Sequence, residues 1–172
     1  MNGDLPDMKH LFEPKAVAVI GASARPEKLG FKIMQNICGG GFPGRDYPIN
    51  PKGGEILGHR VYARIEDVGE EIDLATIVIP QSAVMEAVRS CATAGVKFLS
   101  VITSGYSEVG NLADEQALTS FAREHGMRIL GPNIFGIYTA MAPLNATFGP
   151  REICPGGVAI IKVGAATETE LK

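Results

Sequence analysis

Gly21-Ala22-Ser23, followed at short spacing by Arg25, Lys28 and Gly30, is the stretch of this sequence best equipped to hold a ligand. A glycine directly after an apolar run presents free backbone N–H groups. A helix opening soon afterwards adds the positive end of its dipole. Ser23 contributes a hydroxyl, and Arg25 and Lys28 contribute charge. The chemistry such a loop can do is anion recognition, phosphate above all. A tight strand-to-helix turn also favours Gly and Ser for conformational reasons alone. The loop therefore gains its meaning from companions: Asn50-Pro51-Lys52, Ile79-Pro80-Gln81-Ser82, Thr103-Ser104-Gly105-Tyr106 and Gly131-Pro132-Asn133.

Catalytic constellations are thin by comparison. Ser104 sits in Thr-Ser-Gly-Tyr, outside the Gly-x-Ser-x-Gly elbow of a nucleophilic serine. Glu108, Asp114 and Glu115 read as the solvated start of a helix, favoured there by its dipole. His10, His59 and His125 read as surface or turn histidines. Cys38, Cys91 and Cys154 form neither a metal spacing nor a disulfide framework. Each reads as a small buried or half-buried hydrophobe in a reducing compartment.

The elements that must position these loops alternate regularly. Lys15–Ile20, Leu74–Ile79 and Phe98–Ile102 are continuous apolar runs, expected of strands covered on both faces. Tyr47–Asn50 and Met127–Leu130 are shorter strand candidates. Between them fall helix patterns: one with Phe31, Met34 and Ile37, stopped by Gly39-Gly40-Gly41; one capped by Ser82, with Val84, Val88 and Cys91 on one face and Gly95 at its end; and Asn111–Glu124. Glu55–Tyr62 suits a local pairing about Gly58, and Glu66-Asp67-Val68 a short helical turn. The repeated β–loop–α order predicts an α/β fold: a single Rossmann-like domain with a doubly wound, mostly parallel sheet. In such sheets ligands bind outside the carboxyl ends of the strands, where all five loops lie.

At 172 residues and 45% hydrophobic content, the chain suits one well-cored domain. A net charge of −3 gives no long-range attraction for nucleic acid or anionic lipid. No apolar run approaches membrane-spanning length, and residues 1–15 carry no signal-peptide stretch, so a cytoplasmic location is expected.

The dinucleotide fingerprint Gly-x-Gly-x-x-Gly is absent. The second strand ends in Asn50-Pro51-Lys52, with no acid to hold a ribose diol. A lysine there suits a phosphorylated ribose or a pyrophosphate. That favours coenzyme A or NADP over NAD.

Taken together, Gly21-Ala22-Ser23 with Pro26, Lys28 and Gly30, Asn50-Pro51-Lys52, Ile79-Pro80, Ile102-Thr103-Ser104-Gly105, Gly131-Pro132-Asn133 with Gly136, and Leu144-Asn145-Ala146-Thr147-Phe148 resemble the CoA-binding domain of ADP-forming acetyl-CoA synthetases and of the succinyl-CoA synthetase α subunit. The likeness runs from about Phe12 to Ile161. It implies that Gly21, Ala22, Ser23, Lys28 and Gly30 hold CoA phosphates. It puts Pro51 and Lys52 beside the adenosine, and Ile79, Pro80 and Val84 along the adenine or pantetheine path. Ser104 and Gly105 would meet the pantetheine arm, and Asn133 the thiol end.

The resemblance also implies what is lacking. The family's phosphorylated histidine lies in a later domain within Ser-His-Thr-Gly, which none of the three histidines matches. The ATP-grasp unit has no counterpart here. The expectation is a CoA- or acyl-CoA-binding module that needs ligase and ATP-grasp partners for catalysis, with room for a homo-oligomer where those partners would dock. Residues 1–150 form the module; 151–172 form an aberrant tail. Its stretch Gly156–Lys172 resembles a chaperonin-60 (GroEL) segment, and Val158–Val163 suits an edge strand. Two other readings stay open: an NADP(H)-binding domain of an oxidoreductase or redox sensor, and a non-catalytic truncated or chimeric scaffold.

Overall fold

The computed structural model describes residues 6–152 and Gly156. Five strands form the central sheet: β1 (Ala16–Ile20), β2 (Arg45–Ile49), β5 (Leu74–Ile77), β6 (Phe98–Val101) and β7 (Arg128–Leu130). Their order is β2-β1-β5-β6-β7, and every neighbouring pair is parallel. The expected doubly wound, parallel architecture is what the chain adopts.

Period-two alternation splits the core cleanly. Ala16, Ala18 and Ile20 of β1 point to one face, with Ala75, Ile77, Leu99 and Val101. There they meet Val84, Val88 and Cys91 of α3 (Gln81–Thr93) and Leu118 and Ala122 of α4 (Leu112–Glu124). Val17 and Val19 point to the other face, with Leu74 and Phe98. There they meet Ile33, Met34 and Ile37 of α2 (Leu29–Gly39). Each Val, Leu, Ile, Met or Phe among them contributes about 1.5–3 kcal/mol on burial. The short helix α1 (Lys9–Phe12) is held to the amino edge of the sheet: Asp73 accepts from the Lys15 and Ala16 N–H groups and from His10 Nδ1.

Several expectations need adjustment. The helix α3 begins at Gln81, with Pro80 as its N-cap and no side-chain cap bond, so Ser82 lies inside the first turn. Phe31 is only half-buried, while Ile33 takes the core position beside Met34 and Ile37. The pairing about Gly58 exists as β3 (Glu55–Ile56) and β4 (His59–Arg60). A second hairpin, β8 (Gly136–Thr139) with β9 (Leu144–Thr147), was not anticipated. It lies over α2, where the buried Asn36 Nδ2 donates to the Thr147 and Gly149 carbonyls at 2.9 and 3.0 Å. The expected edge strand Val158–Val163 lies outside the described residues. No helix among the described residues is long and apolar enough to cross a membrane.

Candidate functional site

The strand order reverses direction at β1: α2 leads outward to β2, and the chain returns to β5 on the other side. This switch point is where open α/β sheets leave a crevice. A cleft of about 430 Å³ opens there, lined by Gly21, Ala22, Ser23, Arg25, Lys28, Leu29, Gly30, Asn50, Val78, Ile79 and Pro80.

Two glycines make the cleft possible. Gly21 has φ +96°, and a Cβ on it would run into the Val78 carbonyl and the Ile79 side chain. Gly30, in the first turn of α2, abuts the loop from the other side; a Cβ on it would overlap the Gly21 carbonyl oxygen. The helix N-terminus is thus pressed onto the loop. Lys28, its N-cap, is extended and makes no side-chain cap bond. The Phe31 N–H donates to the Lys28 carbonyl, while Leu29 and Gly30, whose N–H groups are among those an α-helix leaves without an intrahelical partner, border the cleft. With Arg25 and Lys28 beside them, the arrangement is chemically suited to an anion.

Hydrogen bonds fix the rim. Ser23 Oγ accepts from the Arg25 N–H at 3.1 Å, shaping the turn. Asn50 Nδ2 donates to the Ala22 carbonyl at 2.8 Å, while its Oδ1 accepts from the Lys52 N–H at 2.9 Å. Thr103 Oγ1 donates to the Ile79 carbonyl at 2.7 Å, and the Asn133 N–H to the Thr103 carbonyl at 3.1 Å. These bonds lace the first loop to the second, and the third to the fourth and fifth.

Of the residues expected at the site, the cleft gathers Gly21, Ala22, Ser23, Arg25, Lys28, Gly30, Ile79 and Pro80. Pro51 and Lys52 are exposed on the rim just past Asn50. Ser104, Gly105 and Asn133 lie farther along the edge, after β6 and β7, outside the cleft lining. Val84 needs correction: it lies on the sheet-facing side of α3, wholly buried, and offers no surface to a ligand. It backs the wall and does not line it. Asn50, Leu29 and Val78 are additions. Asn50 was visible as a turn residue, but its bond across to Ala22 depends on the parallel pairing of β1 with β2.

Asp114 and Glu115 stand in the first turn of α4, as expected of a helix start; Glu108 needs correction. Glu108 sits in a separate 3-10 turn, Ser107–Val109, and accepts from the Gly105 and Tyr106 N–H groups. The Gly105 bond holds its carboxyl below the usual range. Glu115 accepts from the Ser107 N–H, and Asp114 from Gln81. These acids brace the Ser104-Gly105 loop. Tyr106 beneath it is buried, and burial pushes its phenol up.

The cysteine and histidine readings change in part. Cys91 is buried among apolar neighbours, as expected; Cys38 is exposed. The fold brings Cys38, Asp46 and His59 together, although their spacing gave no metal pattern. His10 bonds Asp73, and His125 stacks on Phe121. Cys154 lies outside the described residues.

Comparison with known proteins bears on the same cleft. Residues 15–140 match the family described as CoA binding domain. The chain is 46% identical over 165 residues to the α subunit of acetate–CoA ligase [ADP-forming] I of Pyrococcus furiosus, an alignment covering 92% of this chain and 36% of that protein. It is 42% identical over 160 residues to acetate–CoA ligase [ADP-forming] of Methanocaldococcus jannaschii, covering 93% of this chain and 22% of the relative. Among solved structures, acetyl-coenzyme A synthetase 1 of Ca. Korarchaeum cryptofilum, with phosphate and ADP, superposes with a TM-score of 0.84 at 48% identity, over 87% of this chain and 32% of that one. The chain thus spans about a third or less of the length of these relatives. With the match over residues 15–140 and these identities, the chain belongs to the CoA-binding domain family and is homologous to part of the ADP-forming acetate–CoA ligases.

Proposed function

We propose that this domain binds CoA extended along the strand-end edge, with the phosphates in the β1/β5 cleft. The observation that carries the reading is the uncapped N-terminus of α2, pressed onto Gly21 through Gly30 and flanked by Arg25 and Lys28. Ser23 and the α2 N–H groups receive the pyrophosphate. Lys52, on the rim beside the adenosine and next to Pro51, takes the 3′-phosphate. The pantetheine arm runs past Ile79 and Pro80 to Ser104 and Gly105, and the thiol ends near Asn133.

In the complete ligase the proposed reaction converts acyl-CoA, ADP and phosphate to acid, CoA and ATP. The phosphohistidine and nucleotide-binding units that this needs belong to partner domains or subunits. Residues 1–150 are the binding module in this scheme.

Calorimetric titration with CoA, dephospho-CoA and NADPH tests the assignment. CoA is expected to bind saturably. Removing the 3′-phosphate or substituting Lys52→Ala weakens it about tenfold, the worth of one charge-assisted hydrogen bond. Ser23→Ala weakens it a few-fold. Binding of NADPH in preference to CoA would overturn the reading and favour an oxidoreductase-type site. A folded chain that binds neither points to a non-catalytic scaffold.

A further inference from the structure

Cys38, Asp46 and His59 come from three different elements: the C-terminal turn of α2, the start of β2 and the start of β4. Asp46 Oδ2 lies 2.8 Å from His59 Nδ1. A carboxylate only accepts, so Nδ1 carries the proton, and in the neutral ring Nε2 then keeps its lone pair. That lone pair faces Cys38 Sγ at 3.6 Å. Asp46 Oδ2 is 4.0 Å from the same sulfur.

Two readings compete for a Cys–His–Asp relay. One is an activated nucleophile, which needs a lowered thiol pKa. Here Cys38 sits in the last turn of α2, at the negative end of the helix dipole, with Asp46 Oδ2 4.0 Å from its sulfur, and both disfavour a free thiolate. The other is a metal site. Ligands at about 2.3 Å (thiolate sulfur) and 2.0–2.1 Å (imidazole nitrogen) around a tetrahedral zinc lie roughly 3.5 Å apart. The observed Sγ–Nε2 separation matches that value. A carboxylate on the far ring nitrogen is the usual way a zinc-bound histidine is oriented.

We propose that Cys38 Sγ and His59 Nε2 bind a zinc-class divalent cation, with Asp46 orienting His59 through Nδ1. The ion displaces the thiol proton to solvent and takes its place between sulfur and nitrogen; water completes the coordination. The mixed sulfur and nitrogen donors select zinc, cobalt or a similar ion over magnesium or calcium. Occupancy fastens the β3–β4 hairpin to α2 and β2. These two elements carry Gly30 and lead to Asn50, so the bound ion steadies the cleft from its far side.

Cobalt(II) titration of the full chain, without CoA, provides the test. A thiolate-to-cobalt charge-transfer band should appear at one equivalent and be displaced by zinc. Cys38→Ser and His59→Ala abolish it, and Asp46→Asn lowers affinity about tenfold or more. Circular dichroism checks that each variant is folded. The other thiols are the internal control: a band that persists in either Cys38→Ser or His59→Ala overturns the proposal, as does the absence of any band in the unsubstituted chain. CoA titration of the same variants separates failure here from failure of the cleft assignment.

Discussion

Asn50 binds both halves of the anion site with one side chain, donating to the Ala22 carbonyl and accepting from the Lys52 N–H. Asn50→Ala removes both bonds and is expected to cost about 1–3 kcal/mol of stability, seen as a lowered urea midpoint. Asn50→Asp also places a negative charge beside the cleft, so its CoA affinity should fall below that of Asn50→Ala in parallel titrations. Gly30→Ala forces a methyl against the Gly21 carbonyl. It should destabilise by about 1–3 kcal/mol and weaken CoA at temperatures where the variant is still folded. Gly21, Ser23, Arg25, Lys28 and Gly30 were legible in the sequence because one loop and one helix turn bring them together. The Asn50–Ala22 bond was not, since it crosses between strands whose register emerges only in the assembled sheet. Cys38, Asp46 and His59 were hidden for the same reason. Val84 was carried to the ligand path by the resemblance alone; helical periodicity put it on one face with Val88 and Cys91, and that face is the fully covered one.

At the scale of elements, the apolar runs of β1, β5 and β6 declared a doubly covered parallel sheet before any coordinates. The β8–β9 hairpin declared little: its strands, as long as β5 and β6, mix apolar and polar residues in Gly136-Ile137-Tyr138-Thr139 and Leu144-Asn145-Ala146-Thr147, and the hairpin packs on α2. Asn36 is the hinge of that contact, so Asn36→Ala should cost about 1–3 kcal/mol and lower the melting temperature. Inside β5, Thr76 Oγ1 is buried and without a hydrogen-bond partner among the described residues. Thr76→Val keeps the shape and removes a stranded hydroxyl, so it should raise stability by about 1 kcal/mol in chemical unfolding. The Ser104-Gly105 loop leans on Glu108, whose carboxyl is lowered chiefly by the Gly105 N–H. A depressed carboxylate contributes fully above its unfolded value and loses that contribution as pH falls through its folded one. The melting-temperature difference between the unsubstituted protein and Glu108→Gln should therefore be present at neutral pH and vanish below the ordinary glutamate range. A difference that stays constant into acid would show that the carboxylate charge is not what holds the loop.

Across the whole molecule, the two ends of the sheet have separate tasks. The amino edge is closed by His10 and the Lys15 and Ala16 amides around Asp73, while the carboxyl edge is left open to ligand. Substitution of Asp73 should accordingly lower stability and leave the CoA affinity of the folded fraction unchanged, as thermal melts and titration at low temperature will show. The tight seat of Gly30 on the Gly21 carbonyl bears on time as well as on energy. A cradle already assembled has no loop to fold when its guest arrives, so encounter is governed by diffusion and charge. Stopped-flow association rates should then be nearly equal for CoA and its shortened analogues. Their differences in affinity will appear as differences in how long each one stays.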